Sequence, residues 1–376
     1  MDFAKDFLSK LVSFDTSSSS QDNEESTLFY KKFLEEEIGM TVKVFPYTPN
    51  SKKSNLLAYW SDTFTTVLCG HFDTVNADKT KWSTDPYTVT FTEESGKIKA
   101  TGLGTTDMKG GNVSAFLTLK KLKEQNKKLD SLAVFFSCEE EIAVRGAKDI
   151  TAKNKSLFEN VSTYIILEPT NLSLGSSQFG HFWMKFTCTG KSAHASEPER
   201  GINAIEGITD LNYVLKEAIH GPELDGYVTL NIGKIQGGTQ MNIVPDYCEE
   251  YVDYRFAPNV FAPDMKEMFQ HVIEQMNEIS YAQYSYEYIS EMRSVQCRIT
   301  NQLYIAMKDL LSTKYVLNEI PMKYGSDGAV FKTNFPSADV IIFGPGLMGC
   351  MHQPNEFVFI EDIVTASDIL YSVLTN

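Results

Sequence analysis

The sequence repeatedly places side chains that bind metals or move protons shortly after short apolar runs. The runs and the residues that follow them are 67–69 with His71 and Asp73, 132–136 with the glutamates at 139–141, 164–167 with Glu168, and 340–343 with His352. Imidazole and carboxylate groups without a thiolate suit zinc, cobalt or manganese better than a structural cysteine site. These residues therefore predict a divalent metal site.

Asp107 is the residue that such a site would share between two ions. It lies in the glycine-rich stretch 102–111, between a strand-like run at 97–100 and a stretch with helical spacing. Glycines allow a tight turn and a close approach at this point, and a carboxylate placed there can bridge two cations. We therefore predict a two-ion ligand set made of His71, Asp107, Glu141, Glu168 and His352.

Glu140 and Asp73 would support the chemistry of two bound ions. Two metal ions about 3.5–4 Å apart lower the pKa of a water held between them toward ~7. Glu140 is adjacent to a predicted ligand, so it is the natural general base that moves a proton from this water to the leaving amine. Asp73 lies two residues after His71, where its carboxylate can accept the other ring N–H and fix the tautomer.

Each of these signals has an alternative explanation when it is taken alone. A single histidine is more often a packed or surface residue, and a run of glutamates is usually a solvated face. The catalytic interpretation rests on their joint position after separate apolar runs.

The apolar runs predict strands that are buried on both faces of a largely parallel sheet, with helices between them. Ligands of such sheets bind beyond the carboxyl ends of the strands, where the predicted site lies. We therefore expect an α/β fold with a mixed, largely parallel sheet flanked by helices. The predicted catalytic domain covers 1–179 and 291–376.

The segment 180–290 predicts a second domain inserted into the first. Its order of elements, β-α-β-β-α-β, is that of a ferredoxin-like α+β unit. The expected elements are an alternating strand at 182–189, a helix with the apolar stripe Ile205, Ile208, Leu211 and Leu215, strands at 227–235 and 247–256, a helix at 262–278 and a strand at 281–289.

Composition limits the partners and the compartment. The 376 residues carry a formal net charge of −15, which argues against nucleic acid and against an anionic membrane as partners. The start lacks the features of a signal peptide, and no apolar run approaches the roughly 18 residues of a membrane span. The six cysteines are scattered without a C-x-x-C pair, which is typical of reduced thiols in the cytoplasm.

The motifs around the predicted ligands resemble those of the di-zinc deacylase and aminopeptidase family. They are Gly70-His71-Phe-Asp73-Thr-Val75, Gly102-Leu-Gly-Thr-Thr-Asp107-Met-Lys-Gly, Glu140-Glu141, Glu168-Pro-Thr170, and Gly344-Pro-Gly with His352-Gln-Pro-Asn-Glu356. The resemblance implies one zinc ion held by His71, Asp107 and Glu168. It implies a second zinc ion held by Asp107, Glu141 and His352, with cobalt or manganese as substitutes.

The resemblance also implies roles for the inserted domain. In this family the insert is a lid through which two monomers dimerise, and Glu140 matches the catalytic base. His194 would reach the site of the partner subunit and stabilise the oxyanion of the intermediate. Asn242 and Arg255 match positions that bind the substrate carboxylate, for which a bidentate arginine is well suited. Without the family context, these three residues would be interpreted as a capping histidine, a turn asparagine and a surface arginine.

The resemblance leaves the substrate open among N-acyl amino acids. Motifs such as Glu168-Pro-Thr170 favour the acetylornithine deacetylase branch and therefore N2-acetyl-L-ornithine. The stretch 325–328 is closer to the desuccinylase branch, and Gly325 and Ser326 are expected to border the substrate. The alternatives are a succinyl-diaminopimelate desuccinylase and a broader aminoacylase or dipeptidase. A non-catalytic binding protein is disfavoured because the ligand set and Glu140 are intact.

Overall fold

A computed structural model describes residues 1–20, 22–48, 50–221, 224 and 226–375. The described residues divide into two compact units. Unit 1 comprises Met1–Ser177, Gln296–Met322 and Ser326–Asn376, and unit 2 comprises Gln178–Val295 and Lys323–Gly325. The long segment of unit 2 interrupts unit 1 in the sequence and covers the predicted insert at 180–290.

Helices and strands alternate through much of the chain. The helices are α1 (Asp2–Val12), α2 (Glu24–Lys32), α3 (Gly110–Glu124), α4 (Arg145–Lys153), α5 (Ala204–Ile219), α6 (Ala262–Ile279), α7 (Gln302–Lys314), α8 (Asp327–Asn334) and α9 (Ile360–Thr375). The strands are β1 (Thr41–Pro46), β2 (Ser54–Tyr59), β3 (Thr66–His71), β4 (Thr90–Glu94), β5 (Lys97–Thr101), β6 (Leu132–Ser137), β7 (Thr163–Ile166), β8 (Leu174–Gln178), β9 (Gly180–Thr189), β10 (Val228–Gly237), β11 (Tyr247–Phe256), β12 (Gln283–Met292), β13 (Val295–Gln296), β14 (Glu319–Met322), β15 (Asp339–Ile342) and β16 (Phe357–Phe359).

The large sheet has the strand order β1-β2-β6-β3-β7-β15-β8-β13, and β14 pairs with β8. Its central strands β6, β3, β7 and β15 run parallel, whereas β1 and β2 are antiparallel. Every residue of these central strands is buried, as expected for strands covered on both faces. The predicted α/β fold with a mixed, largely parallel sheet is confirmed.

An aromatic cluster joins the first helices of unit 1 to this sheet. Phe116 of α3 stacks on Phe136 of β6 with ring centroids 5.3 Å apart, and Tyr30 of α2 meets Phe136 edge-on at 4.9 Å. Each fully buried aromatic ring contributes about 1.5–3 kcal/mol to the free energy of unfolding.

No helix in the described part of the chain combines the length and the apolar character that crossing a bilayer requires.

A small sheet of unit 1, with the order β16-β5-β4, brings together two distant parts of the sequence. Phe357 of β16 pairs with Thr101 of β5, and Val358 pairs with Ala100. The loop that carries Asp107 follows β5, and the loop that carries His352 precedes β16. The small sheet therefore places these two loops side by side.

The sheet of unit 2 has the order β10-β11-β9-β12, with antiparallel neighbours. Its inner face packs on α5 and α6 in a common core, which gives the predicted ferredoxin-like arrangement. Leu211 and Leu215 of the predicted helical stripe are buried, but Ile205 is 37 % exposed. Ile205 lies in the first turn of α5, where its backbone N–H donates to the side chain of the N-cap residue Asn203.

Candidate metal centre

The predicted ligands of unit 1 collect at the carboxyl ends of parallel strands. His71 is the last residue of β3 and lies opposite Ser137, the last residue of β6. The glutamates at 139–141 follow β6, and Glu168 follows β7 on the other side of β3. Because parallel strands end at the same edge of a sheet, the topology gathers these side chains at one edge.

Asp107 reaches this edge from the loop between β5 and α3. Gly104 turns the loop with a φ of +73°, a conformation that side chains other than glycine rarely adopt. Gly111 lets the first turn of α3 approach β7, because a Cβ atom there would lie 2.2 Å from the carbonyl oxygen of Leu167. The glycines of this stretch therefore allow Asp107 to lie against the strand ends.

The carboxylate oxygens of Asp107 face different histidines. Oδ1 lies 3.2 Å from Nε2 of His71, and Oδ2 lies 3.2 Å from Nε2 of His352. Oε1 of Glu168 is 3.9 Å from Nε2 of His71, and Oε2 of Glu141 is 3.1 Å from Nε2 of His352. The predicted ligands therefore form two groups that share Asp107.

The main-chain carbonyl of Asp73 orients the His71 ring. This oxygen lies 2.8 Å from Nδ1 of His71, whereas Oδ1 of Asp73 is 3.8 Å away. The partner of the ring is therefore the main-chain carbonyl of Asp73 and not its predicted carboxylate. The chain bends directly after β3, and this bend turns the carbonyl toward the ring. A carbonyl oxygen only accepts, so Nδ1 carries a proton, and Nε2, which faces Asp107, is the ring nitrogen left to bind a cation.

The Asp73 carboxylate instead holds the loop after β6. Its Oδ1 accepts the backbone N–H of Glu140 at 3.1 Å, and its Oδ2 accepts that of Glu141 at 3.0 Å. Asp73 is buried, so water does not compete freely for these hydrogen bonds. Asp73 therefore positions the predicted base and a predicted ligand together.

The three adjacent glutamates have different surroundings. Glu139 has a φ of +58° and forms a buried ion pair with Lys53. Glu140 lies near the carboxylates of the site, and burial raises the pKa of its carboxyl well above the usual range, against the opposing influence of His71. A raised pKa suits a general base that works near neutral pH. Glu141 turns toward His352.

The donor set fits divalent cations. Burial raises the pKa of Glu141 and of Glu168, and Nε2 of His71 faces carboxylate oxygens of Asp107 and Glu168, an arrangement that a proton or a cation between them stabilises. Ligand atoms of His71, Asp107 and Glu141 lie within 4.8 Å of one another. Oxygen and nitrogen donors without sulfur suit zinc, cobalt and manganese.

Comparison with protein families identifies the chain at the family level. The model of a family described as Peptidase family M20/M25/M40 matches residues 67–376. The chain belongs to this family. Membership in this peptidase family supports hydrolysis as the activity of the chain, and the resemblance stated from its motifs is confirmed.

Relatives and solved structures extend the match over nearly the whole chain. An acetylornithine deacetylase from Proteus mirabilis is 29% identical over 351 residues, which cover 91% of this chain and 87% of the relative. A tripeptidase from Staphylococcus aureus has a TM-score of 0.77 at 22% identity and covers 100% of this chain and 99% of its own. Bacillus subtilis YXEP, described as a dinuclear metal binding peptidase from the M20 family, has a TM-score of 0.71 at 16% identity and covers 99% and 98%.

Glu356 is a buried carboxylate of this M20-family chain to which the sequence analysis gives no role. It lies in the motif of His352 and directly before β16, and it is 2 % exposed. Its carboxylate accepts hydrogen bonds from backbone N–H groups of the loop that carries Asp107. The available signal was its position, four residues after a predicted ligand and next to an apolar strand.

Unit 2 of the M20-family chain carries the other predicted site residues. His194 and Asn242 are exposed and adjacent, because Ala195 donates its N–H to the carbonyl of Asn242 at 3.1 Å. Nδ1 of His194 lies 2.7 Å from Oγ of Ser196. Arg255 lies on β11, away from this pair in sequence, and binds Asp253 through Nε and an amino group, each at 2.8 Å.

The stretch 325–328 spans the boundary of the units, since Gly325 belongs to unit 2 and Ser326 to unit 1. Ser326 is buried and caps α8, where its hydroxyl accepts the N–H of Gly328. Asp327 is also buried and accepts a hydrogen bond from Ser137. Burial raises the pKa of Asp327 to about 6.

Proposed function

We propose that the chain is a two-metal amidohydrolase that removes the acetyl group of N2-acetyl-L-ornithine to give L-ornithine and acetate. The observation that carries the proposal is the placement of Asp107, whose oxygens face His71 and His352 separately. The substrate is supported by acetylornithine deacetylases that are 29% identical over most of both chains.

Zinc is the proposed metal, with cobalt or manganese as substitutes. His71, Asp107 and Glu168 would hold one ion, and Asp107, Glu141 and His352 would hold the other. The ions, when bound, would supply Lewis-acid polarisation of the substrate carbonyl and a lowered pKa for water. The dinuclear description of the related B. subtilis YXEP protein supports two ions.

The residues of the chain would move the protons of the reaction. Glu140 takes a proton from the attacking water, whose oxygen forms a bond to the acyl carbon. Glu140 then gives this proton to the amide nitrogen as the C–N bond breaks, so that acetate and the free amine leave. Asp73 keeps Glu140 in place through its backbone N–H.

Unit 2 is proposed as a lid that binds the rest of the substrate and forms a homodimer. His194 would stabilise the oxyanion in the site of a second copy, and Asn242 and Arg255 would bind the substrate carboxylate. Gly325 and Ser326 would border the substrate. The proposed compartment is the cytoplasm, supported by cysteines that are unpaired throughout the described part of the chain.

A second candidate is N-succinyl-diaminopimelate, favoured by the sequence Gly325-Ser326-Asp327-Gly328. A hydrolysis panel separates the two. It contains N2-acetyl-L-ornithine, N-succinyl-diaminopimelate, N-acetylmethionine and a dipeptide, each with metal-loaded and chelator-treated protein. We expect preferred hydrolysis of acetylornithine, lost on chelation and restored by Zn²⁺ or Co²⁺.

The other outcomes of the panel are equally informative. Preference for the succinyl compound would establish the second candidate. Turnover of N-acetylmethionine or the dipeptide above the others would favour a broader aminoacylase or dipeptidase. Metal binding without turnover of any compound would contradict the proposal and favour a binding protein.

A further inference from the structure

Glu356 binds the backbone of the loop that carries Asp107. Its Oε1 accepts the N–H groups of Thr106 and Asp107, each at 2.8 Å, and its Oε2 accepts the N–H of Gly104 at 3.0 Å. Burial of the Glu356 side chain protects these hydrogen bonds from competing water. The Glu356 side chain therefore fixes the backbone of the loop that carries Asp107.

Two further hydrogen bonds, to the carbonyls of Glu356 and Phe357, extend this connection. The N–H of Gly102 donates to the carbonyl of Glu356 at 3.0 Å, and the Thr106 hydroxyl donates to the carbonyl of Phe357. The pairing of β16 with β5 continues from these contacts. The loop of Asp107 and the loop of His352 are thus joined through Glu356, which lies four residues after His352 in the same loop.

We propose that Glu356 is a positioning residue that fixes Asp107 and His352 relative to each other and so sets the affinity of the ion that these residues share with Glu141. This inference rests on the two-metal centre of the proposed function. It assigns to Glu356 a role through the backbone, without contact with metal or substrate.

The effect is specific to one ion because the other ligands are fixed in a different way. His71 is held within the large sheet by its pairing with Ser137 of β6. Glu168 follows β7, where the N–H of Leu167 donates to the carbonyl of Cys69 at 2.9 Å. Loss of Glu356 leaves both of these sheet contacts intact. The ion bound by Asp107, His71 and Glu168 therefore loses less support than the ion bound through His352.

The test compares Glu356→Gln with wild type in calorimetric titrations of the chelator-treated full chain with Zn²⁺. Glutamine keeps the size of the side chain but replaces one acceptor oxygen by an NH₂ group, which faces a backbone N–H and cannot accept. Loss of a residue that positions a metal ligand typically lowers metal affinity about 10–100-fold. We expect this loss for one of two bound ions, with a smaller change for the other.

Asp362→Asn is the matched control. Asp362 is also a buried carboxylate of unit 1 and accepts a hydrogen bond from Lys97 of β5 at 2.7 Å, close to the same small sheet. This variant should bind both ions with wild-type affinity. A purely structural role for Glu356 would lower the melting temperature and leave the ratio of the two affinities unchanged, so that ratio is the decisive readout.

Each outcome bears on the inference. Wild-type affinity for both ions in Glu356→Gln, or equal weakening of both, would overturn it. If Glu356→Gln does not fold, Glu356→Asp keeps both acceptor oxygens with one methylene less, and the same selective loss is expected to a smaller extent. A wild-type protein that binds fewer than two ions would instead refute the two-metal centre of the proposed function, and the inference with it.

Discussion

The metal-ligand edge of unit 1 and the surface of unit 2 hold their predicted site residues in different ways. His71 and Asp107 are 1% and 5% exposed, although His352 at the same edge is exposed, and buried carboxylates bind the backbone beside these predicted ligands. His194 and Asn242 are exposed, and the ring of His194 bonds to a nearby serine. Fixed groups stabilise charge without reorganising, whereas exposed groups become ordered when a substrate binds. Substitutions in the two regions should therefore impair different properties of the protein.

The largest effect is expected for Glu140→Gln in unit 1. Removal of a general base typically lowers kcat by about 10²–10⁴-fold, while metal stoichiometry and melting temperature should stay close to wild type. The measurement is acetylornithine hydrolysis together with metal analysis of the same sample. Glu139→Gln is the control, because Glu139 pairs with Lys53 and should affect stability more than turnover. Similar turnover in Glu140→Gln and wild type would refute the assigned mechanism.

His194→Ala tests the exposed surface of unit 2. Removal of an oxyanion donor typically costs about 10²–10³-fold in kcat, and an exposed ring contributes little to stability, so the melting temperature and metal binding should not change. Ser196→Ala removes the partner of Nδ1 and keeps the ring, and we expect a smaller loss. Unchanged kcat in His194→Ala would leave this surface without a catalytic role.

Arg255→Ala should act on substrate binding. Hydrogen bonds to charged groups contribute about 1.5–3 kcal/mol, so KM should rise about 10–100-fold while kcat changes little. Arg255→Lys keeps the charge but loses the bidentate geometry, so its KM should lie between that of the wild type and that of Arg255→Ala. Asp253→Asn is a useful comparison, since the Asp253 carboxylate forms an ion pair with the guanidinium of Arg255 in the structure. A fall in kcat at constant KM would contradict a binding role.

The smallest effect, on thermal stability, is expected for a buried carboxylate of unit 2 that, among the described residues, binds no loop of the predicted metal ligands. Glu250 accepts the side-chain N–H of Asn212 at 2.8 Å, while its Oε1 and the Asn212 Oδ1 have no hydrogen-bond partner among the described residues. In Glu250→Gln the new NH₂ group can donate to Asn212. Satisfying buried polar atoms contributes on the order of 1 kcal/mol, so the variant should melt at a higher temperature at neutral pH.

The pH dependence of this stabilisation has a definite sign. Burial raises the pKa of Glu250 above its usual 4.5, so the wild type loses stability as the pH rises through the raised value. The difference between Glu250→Gln and wild type should therefore shrink toward zero below about pH 4.5. Glu249→Gln is the control of opposite sign, because hydrogen bonds from Tyr247 and Lys185 lower the pKa of Glu249. Thermal melts from about pH 3 to 8 check both, since the contribution of Glu249 is lost only as the pH falls below its usual 4.5.

The sequence was sufficient for the strands of the large sheet and for the placement of the predicted ligands that follow them directly. His71 and Glu168 come at or just after apolar runs, and a parallel sheet brings such strand ends together. Asp107 was predictable for a related reason, because glycines mark the turn between β5 and α3. The ferredoxin-like order of unit 2 followed from alternating and helical periodicity, apart from Ile205 in the first helical turn.

The supporting contacts could not be derived from residue patterns because they involve the backbone. Asp73 was expected to bind the His71 ring, but its carboxylate binds N–H groups of the loop after β6. Glu356 likewise binds N–H groups of the Asp107 loop. Every residue except proline offers a backbone N–H, so no side-chain type marks such a partner. The left-handed conformation of Glu139 is similarly invisible in a run of glutamates.

The pairing of β5 with β16 has a consequence for biosynthesis. β5 is made early by the ribosome, but its partner follows His352 near the other end of the sequence. The sheet strands that carry His71 and Glu168 emerge long before this partner, and domains generally begin to fold during synthesis. A nascent or truncated chain that ends before His352 would therefore contain His71, Asp107 and Glu168, the proposed ligands of one ion, but would lack His352 of the second ion and the β16 strand that follows it. Loading of the complete proposed metal centre would have to follow synthesis of the segment that carries His352 and β16.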